Sequence, residues 1–527
     1  MSSRYYDVVV LGMRVGALAS AALLARRDFR VLVLGHGASP ATYRFDGLPL
    51  RRRSFTPLAA PTPAWRRVVA ELAQSQAFKR RLRPLDPMFQ VLEPGRRLEL
   101  PPDPTLFAHE LERELRDARG AIDELYLRLS RLNAQIDEVL ERDAVWPPGN
   151  FWERRETARL RDALPMGGEA HLRRDEPALT VDADYRAVFE LPAIFASHAR
   201  LDPVSESSQL PLARLHGAWT RGVSELPGDE DELTAFLVER IRAHGGDVRS
   251  NEWCEAIQHK RGRVAGVVIE GDSEVTGCSF VIGDRPVMRL LDVVRDLEDA
   301  HIEEVALPPT AGRRFTVSIV VRQALVPDAL ARHAFLRPSG PSGVDVHLQR
   351  ASFSHGAGGA DPALAAIGAE LWVAEAIVPE ALAPPAGSVG REMHARELVL
   401  ATLRQHFPYL DRHTLVVDSP NDGAPLVDRR HGDTVLVGRA ATRAGGGHLE
   451  AEASDPIYDG VAEGYASLSL EPIRTPIERL LQVSPTVLPA LGQEGELLAA
   501  WGAARIVTRS DRQKERMRRE MWSKIEI

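Results

Sequence analysis

The sequence predicts an α/β protein: a discontinuous Rossmann-type domain with a parallel sheet, joined to an α+β domain built on an antiparallel sheet. Three stretches carry that reading: Tyr5–Gly37, the segment from Asp229 to Gly283, and the alternating strands between 313 and 380.

The first stretch reads YDVVVLGMRVGALASAALLARRDFRVLVLGHG. An apolar, β-branched run ends at Leu11, a turn is centred on Gly12, a small-residue helix covers roughly Val15 to Arg26, and a second apolar run spans Arg30 to Leu34. Strand, turn, helix and strand within about thirty residues make a βαβ unit of the dinucleotide-binding type. Such a unit needs G-x-G-x-x-G at its turn, so that the backbone can approach a pyrophosphate and the helix can pack on the strand. Gly12 holds the first position and is followed by Arg14 at the second and Ala17 at the third. Gly35 stands where an acidic residue would bind the adenosine ribose.

In the second stretch, a helix from about Asp229 to His244 ends at Gly245-Gly246, and a strand covers Asp247 to Ser250. Trp253–Gln258 and Arg263–Ile269 pair around Lys260-Arg261-Gly262, Cys278–Gly283 is a further strand, and Pro286–Leu297 is helical. The residues just before, from Leu212, read as a loop. In the third stretch, RFTVSIVVR, HAFLRP, VDVHLQRASF and ELWVAEAIVP alternate with period two, as an antiparallel sheet requires. A helix from about Gly390 to His406 and the strand-turn TVLVG, starting at Thr434, follow.

The most regular helix lies between Pro104 and Arg142. Leu111, Leu115, Ala118, Ile122, Leu125, Leu129, Leu132, Ile136 and Val139 recur at spacings of four and three, a heptad seam weakened only by Gly120. The seam fits a coiled-coil or partner surface, self-association included, or equally packing within its own domain.

Composition narrows the function classes. With 66 basic and 74 acidic residues the net charge is −8, which argues against a general nucleic-acid binder. Cys254 and Cys278 are the only cysteines, enough for neither a disulfide framework nor a thiolate metal cluster. No apolar stretch approaches a membrane span, so a soluble, cytoplasmic chain is expected. His448, Glu450 and Glu452 are read as loop packing rather than a metal site, His355 is uninformative, and no catalytic residue is assigned.

The order of elements resembles the phytoene-desaturase and amine-oxidase branch of the two-domain flavoprotein oxidoreductases, as a divergent member with degraded flavin motifs. The resemblance rests on Tyr5–Gly37, on Glu232–Ile282 with its GRVAGVVIEG hairpin, and on Thr434–Gly447. It implies a dinucleotide-binding-type domain assembled from 1–63, 211–304 and 391–470. The substrate-type domain is 64–210 and 305–390, containing the heptad helix 104–142, and 471–527 is a helical extension with a charged tail. The family's late Gly-Asp motif corresponds to Gly438 and Arg439, with the aspartate lost. The cofactor-site residues implied are therefore Gly12, Arg14, Gly16, Ala17, Gly35, Gly438 and Arg439, vestigial or remodelled. Each lost charge-assisted hydrogen bond costs roughly 1.5–3 kcal/mol, so three losses weaken a dinucleotide by several orders of magnitude. Arg14 and Arg439 either hold a smaller anion, pair with an internal carboxylate, or fill the void, the last being favoured. No cofactor is expected, and FAD if any. Three functions follow: a non-catalytic scaffold or regulator, a carrier of an apolar small molecule, or an active FAD-dependent oxidoreductase on an apolar or amine substrate.

Overall fold

The computed structural model describes residues 5–165, 183–202, 205–297, 305–340, 343–353, 361–379, 389–420, 424–438 and 455–522. Strand β1 (Tyr5–Leu11), helix α1 (Val15–Arg26) and strand β2 (Val31–Leu34) form as the sequence predicts. β1 lies between β2 and Val275–Gly283, parallel to both. Asp247–Arg249 extends the sheet beyond β2, and the hairpin Cys254–Lys260/Arg263–Ile269 completes its other side. Val8, Val9, Val10 and the four residues of β2 are buried on both faces, which is why parallel strands read as unbroken apolar runs.

The last strand of this sheet is Leu480–Gln482, parallel to Val275–Gly283. It feeds the helix Gly492–Arg509, which packs along α1. The approach is close because both helices offer small residues: a Cβ on Gly16 would come 3.4 Å from the Glu496 carbonyl oxygen of that helix and 2.6 Å from the Val483 carbonyl oxygen before it. Residues 471–527 are therefore not an extension. Their first strand and helix are part of the core of the Rossmann-type domain.

The second sheet runs in the order Val435–Val437, Leu426–Asp428, Thr414–Asp418, Thr310–Arg322, Ala369–Pro379, Val346–Arg350, His333–Leu336, Phe89–Glu93, Arg96–Leu100, and Pro456–Tyr458 adds to Thr310–Arg322. All four predicted strands are present, and the pairing is antiparallel except between His333–Leu336 and Phe89–Glu93. This corrects the domain boundaries. The strands within 391–470, assigned from sequence to the dinucleotide-binding domain, pair into the second sheet instead. Register decides it: Thr414–Asp418 continues the ladder of the long central strand, which has no edge in the parallel sheet.

Two further expectations change. The stretch after Leu212, read as a loop, is the helix Glu206–Trp219, with Pro211 early enough that few of its hydrogen bonds are lost. The heptad helix is broken: Pro104–Glu114 ends at Leu115 (φ −141°, ψ 42°), a 3₁₀ turn covers Arg116–Ala118, and Arg119–Leu140 resumes. Asp117 and Gly120 are weak helix formers at the break. Leu111, Leu115, Ile122, Leu125, Leu129, Leu132 and Ile136 are all buried within the chain. The Arg119–Leu140 helix packs on Glu206–Trp219. Of the two readings open to the seam, the structure shows packing within the chain, which supplies its own partner helix. No described helix is long and apolar enough to cross a membrane.

Candidate functional site

The turn between β1 and α1 is where a dinucleotide fold concentrates its chemistry. The first amides of a helix lack partners within it and carry the positive end of its dipole, a natural seat for an anion. Here that seat is occupied by the chain itself. The Arg14 amide donates to Asp284 Oδ2 at 3.1 Å, and the Gly16 amide donates to Glu496 Oε2 at 3.4 Å. Asp284 follows the strand Val275–Gly283, where its own amide donates to the Leu11 carbonyl. Glu496 lies in the first turns of Gly492–Arg509 and pairs through Oε1 with His198 Nε2 at 3.0 Å. Both carboxylates are buried.

Gly12 has φ +110°, which side chains resist, and a Cβ built on it would fall 1.9 Å from Asp284 Oδ2. The glycine that serves the tight turn also leaves the room that Asp284 takes up. The Arg14 guanidinium, at the second glycine position, bonds to Asp455. Arg53 stands beside it, its Nε 2.6 Å from Glu230 Oε2. Burial pushes the Asp455 carboxyl up, but the charges of Arg14 and Arg53 outweigh burial and hold it below the ordinary carboxylate range. Glu496 is also held low, by its hydrogen bond and charge contact with His198 acting against burial. At Asp284 burial wins and the carboxyl is raised.

Gly35 is glycine for a different reason. A Cβ there would meet the Ser250 carbonyl oxygen at 1.8 Å, because the Asp247–Arg249 strand crosses beside it and Arg249 accepts its amide. No acidic ribose ligand fits at that position. The next residue, His36, turns its ring inward, where Nδ1 accepts from the Cys254 amide at 3.3 Å and the ring lies 4.9 Å from Trp253. Ala17 is buried within α1.

The late motif lies elsewhere than expected. Gly438 is exposed just beyond the edge strand Val435–Val437 of the second sheet, and Val435–Val437 pairs only within that sheet. Arg439, His448, Glu450, Glu452 and His355 lie outside the described residues. The segment reaching the β1–α1 turn from the chain's end is Leu480–Gln482 with the helix after it. Past this strand stands Ser484, its hydroxyl 2.6 Å from Gln482 Oε1. Sequence reasoning missed Asp284, Asp455, Glu496 and His198. Only Asp284, directly after an apolar strand ending in Gly283, carried a local signal.

The interior between the second sheet and the helices is aromatic. Phe335 stacks on His347 at 4.9 Å, His347 meets His333 with ring nitrogens 3.0 Å apart, and Phe195 and Trp219 close the group. A cavity nearby, between Trp65, Ala196, Trp219 and Leu491, is small, about 30 Å³, room for water rather than for an apolar molecule of any size. A groove of about 730 Å³ beside Met13 and Ser250 is wider, but its Asp231 already accepts from the Ala41 and Thr42 amides. Among the described residues no group of His, Cys, Asp and Glu is placed to hold a metal ion.

Burial drives three histidines to their neutral forms. His36 falls to about 4, with Arg285 assisting; His216 falls to about 3; and His347 falls to about 3, with Arg314 assisting. Their rings are expected to stay neutral down to about pH 5 in a histidine NMR titration, where an exposed ring charges near 6.5. The sign is destabilising: as pH falls through 6.5 the unfolded chain binds protons that these folded rings refuse. Asp229 and Glu190, both raised by burial to about 7, act in the opposite direction over the same interval. The ring titration therefore isolates what a melting curve would average.

No family model matches the sequence, and no curated protein matches it. Solved structures do. An oxidoreductase from Methanosarcina mazei superposes with a TM-score of 0.54 at 15% identity, over 92% of this chain and 98% of its own. Putrescine oxidase bound to putrescine gives 0.51 at 14% identity, over 96% and 99%. The fold is that of the two-domain flavoprotein oxidoreductases. Within it, the residues at the dinucleotide turn do not fit a pyrophosphate as they stand. Two amides of that turn, those of Arg14 and Gly16, are bonded to Asp284 and Glu496, and Asp455 takes the nearby arginine.

Proposed function

We propose that this chain uses the flavoprotein-oxidoreductase fold as a non-catalytic scaffold, with internal carboxylates in place of a bound dinucleotide. The observation that carries the reading is the pair of hydrogen bonds from the Arg14 and Gly16 amides to Asp284 and Glu496. A pyrophosphate entering there would displace two buried carboxylates from a helix terminus and leave them facing its own charge. The aromatic filling around Phe335 and His347 and the small cavity beside Trp219 favour a scaffold over a carrier that stores an apolar molecule at that place.

A second reading has one observation behind it. The likeness covers nearly the whole of the solved oxidoreductases, substrate-side domain included. On that reading the chain is an FAD-dependent oxidoreductase acting on an apolar or amine substrate, and the carboxylates swing away on binding. Thermal melts separate the two. The scaffold shows the same Tm with and without saturating FAD, ADP or NAD, whereas a site that takes up the dinucleotide raises it with concentration.

A further inference from the structure

The helix Phe151–Asp162 carries the most exposed aromatic pair among the described residues. Phe151 is 69% exposed and Trp152 70%, with their rings edge to face at 5.4 Å. The start of the helix that carries the pair is fixed by capping. Asn150 Oδ1 accepts from the Glu153 amide at 2.9 Å, and Glu153 reaches back to the Gly149 amide at 2.8 Å, a reciprocal cap. Arg474 fixes the same Glu153 at 2.6 Å. The opposite face of the helix, through Glu153 and Thr157, is buried.

Arg154, Arg155 and Arg159 are exposed and make no ion pair among the described residues. At 100° per residue, Phe151, Arg155, Arg159 and Trp152 fall within an arc of about 100° on the solvent side, shared at the far end of the helix by Asp162, whose charge is paired with Arg161. Arginines with no ion pair among the described residues, beside two projecting aromatic rings, are unusual on a chain whose net charge is −8.

We propose that this face docks on an anionic membrane surface, with Phe151 and Trp152 entering the headgroup boundary and Arg155 and Arg159 meeting lipid phosphates. The rings project from the surface rather than line a groove. A bilayer accepts such a projection without a complementary cavity, and tryptophan with arginine suits its interface. Attachment is peripheral and electrostatic, so it weakens with salt.

The test is flotation of the full-length protein with phosphatidylcholine vesicles, with or without phosphatidylserine, at low and high salt. The protein is expected to float with the phosphatidylserine vesicles at low salt and to be released by high salt. Phe151→Ser/Trp152→Ser and Arg155→Glu/Arg159→Glu are each expected to lower partitioning roughly tenfold or more while keeping the wild-type Tm. Wild-type protein that stays unbound, or variants that float as well as it does, would overturn the proposal. So would lipid-free self-association abolished by Phe151→Ser/Trp152→Ser, which would make the face a protein interface.

Discussion

Replacing Arg214 by Ala is expected to lower stability by about 3–5 kcal/mol, the cost of stranding buried charges. Arg214 is fully buried on the helix Glu206–Trp219, and its guanidinium ties three helices together. Two of its nitrogens donate to the two carboxylate oxygens of Glu494 at 2.7 Å, and a third contacts Asp137 at 2.7 Å and Asn133 at 3.1 Å. Glu494 belongs to the helix that packs on α1, and Asp137 to the helix that carries the heptad seam. The link therefore joins the helix packed on α1 to the helices Arg119–Leu140 and Glu206–Trp219. Truncation leaves Glu494 buried without its cation, whereas Arg214→Ala/Glu494→Gln removes that penalty and recovers part of the loss. Urea denaturation of the three proteins checks this. A loss below about 1 kcal/mol for Arg214→Ala would show that the pair is solvated in the folded state.

Gly12→Ala is expected to cost about 2–4 kcal/mol, combining a positive-φ alanine with an overpacked contact. The reason distinguishes this turn from a working dinucleotide site. In such a site the first glycine serves the tight turn, so alanine there costs the backbone strain alone. Here the added methyl meets Asp284, a part of the chain that is always present. In an Asp284→Ala background the cost of Gly12→Ala is expected to fall to the strain alone, about 1 kcal/mol. A double-mutant cycle measured by urea denaturation reads that coupling directly. Equal costs in both backgrounds would mean that Asp284 lies elsewhere in solution.

The parts of the fold written in local pattern were legible. β1 and β2 are buried on both faces, and α1 is lined with alanine, so their segments cannot be mistaken for surface structure. The second sheet was legible because its strands alternate. What failed had no local signature. Leu480–Gln482 is only three residues long, and the helix after it is buried all round, so neither shows a period. A fuller apolar run at Thr434 took its place in the reading, although Leu436 turns out to be exposed on an edge strand. The heptad seam left two covers open for the converse reason, and the structure shows the one within the chain. A 3.5-residue repeat records that one face is covered, and it is the same whether the cover is a second chain or the chain's own helix.

At the site, the loss of the dinucleotide glycine and the ribose carboxylate was visible at Arg14 and Gly35. What replaced them was not. Asp284, Asp455 and Glu496 lie 270, 441 and 482 residues beyond Arg14, and only the folded chain brings them together. Of the three fates open to Arg14 from sequence, the structure shows the pairing with an internal carboxylate, rather than the void-filling that was favoured.

The most direct measurement is the visible absorbance spectrum of the protein purified without added cofactor, taken again after incubation with excess FAD and removal of the unbound fraction. The account predicts no flavin band in either sample, because Asp284 and Glu496 hold the Arg14 and Gly16 amides of the turn. A stoichiometric flavin band in either sample would contradict it and would make the chain a flavoprotein in function as well as in fold.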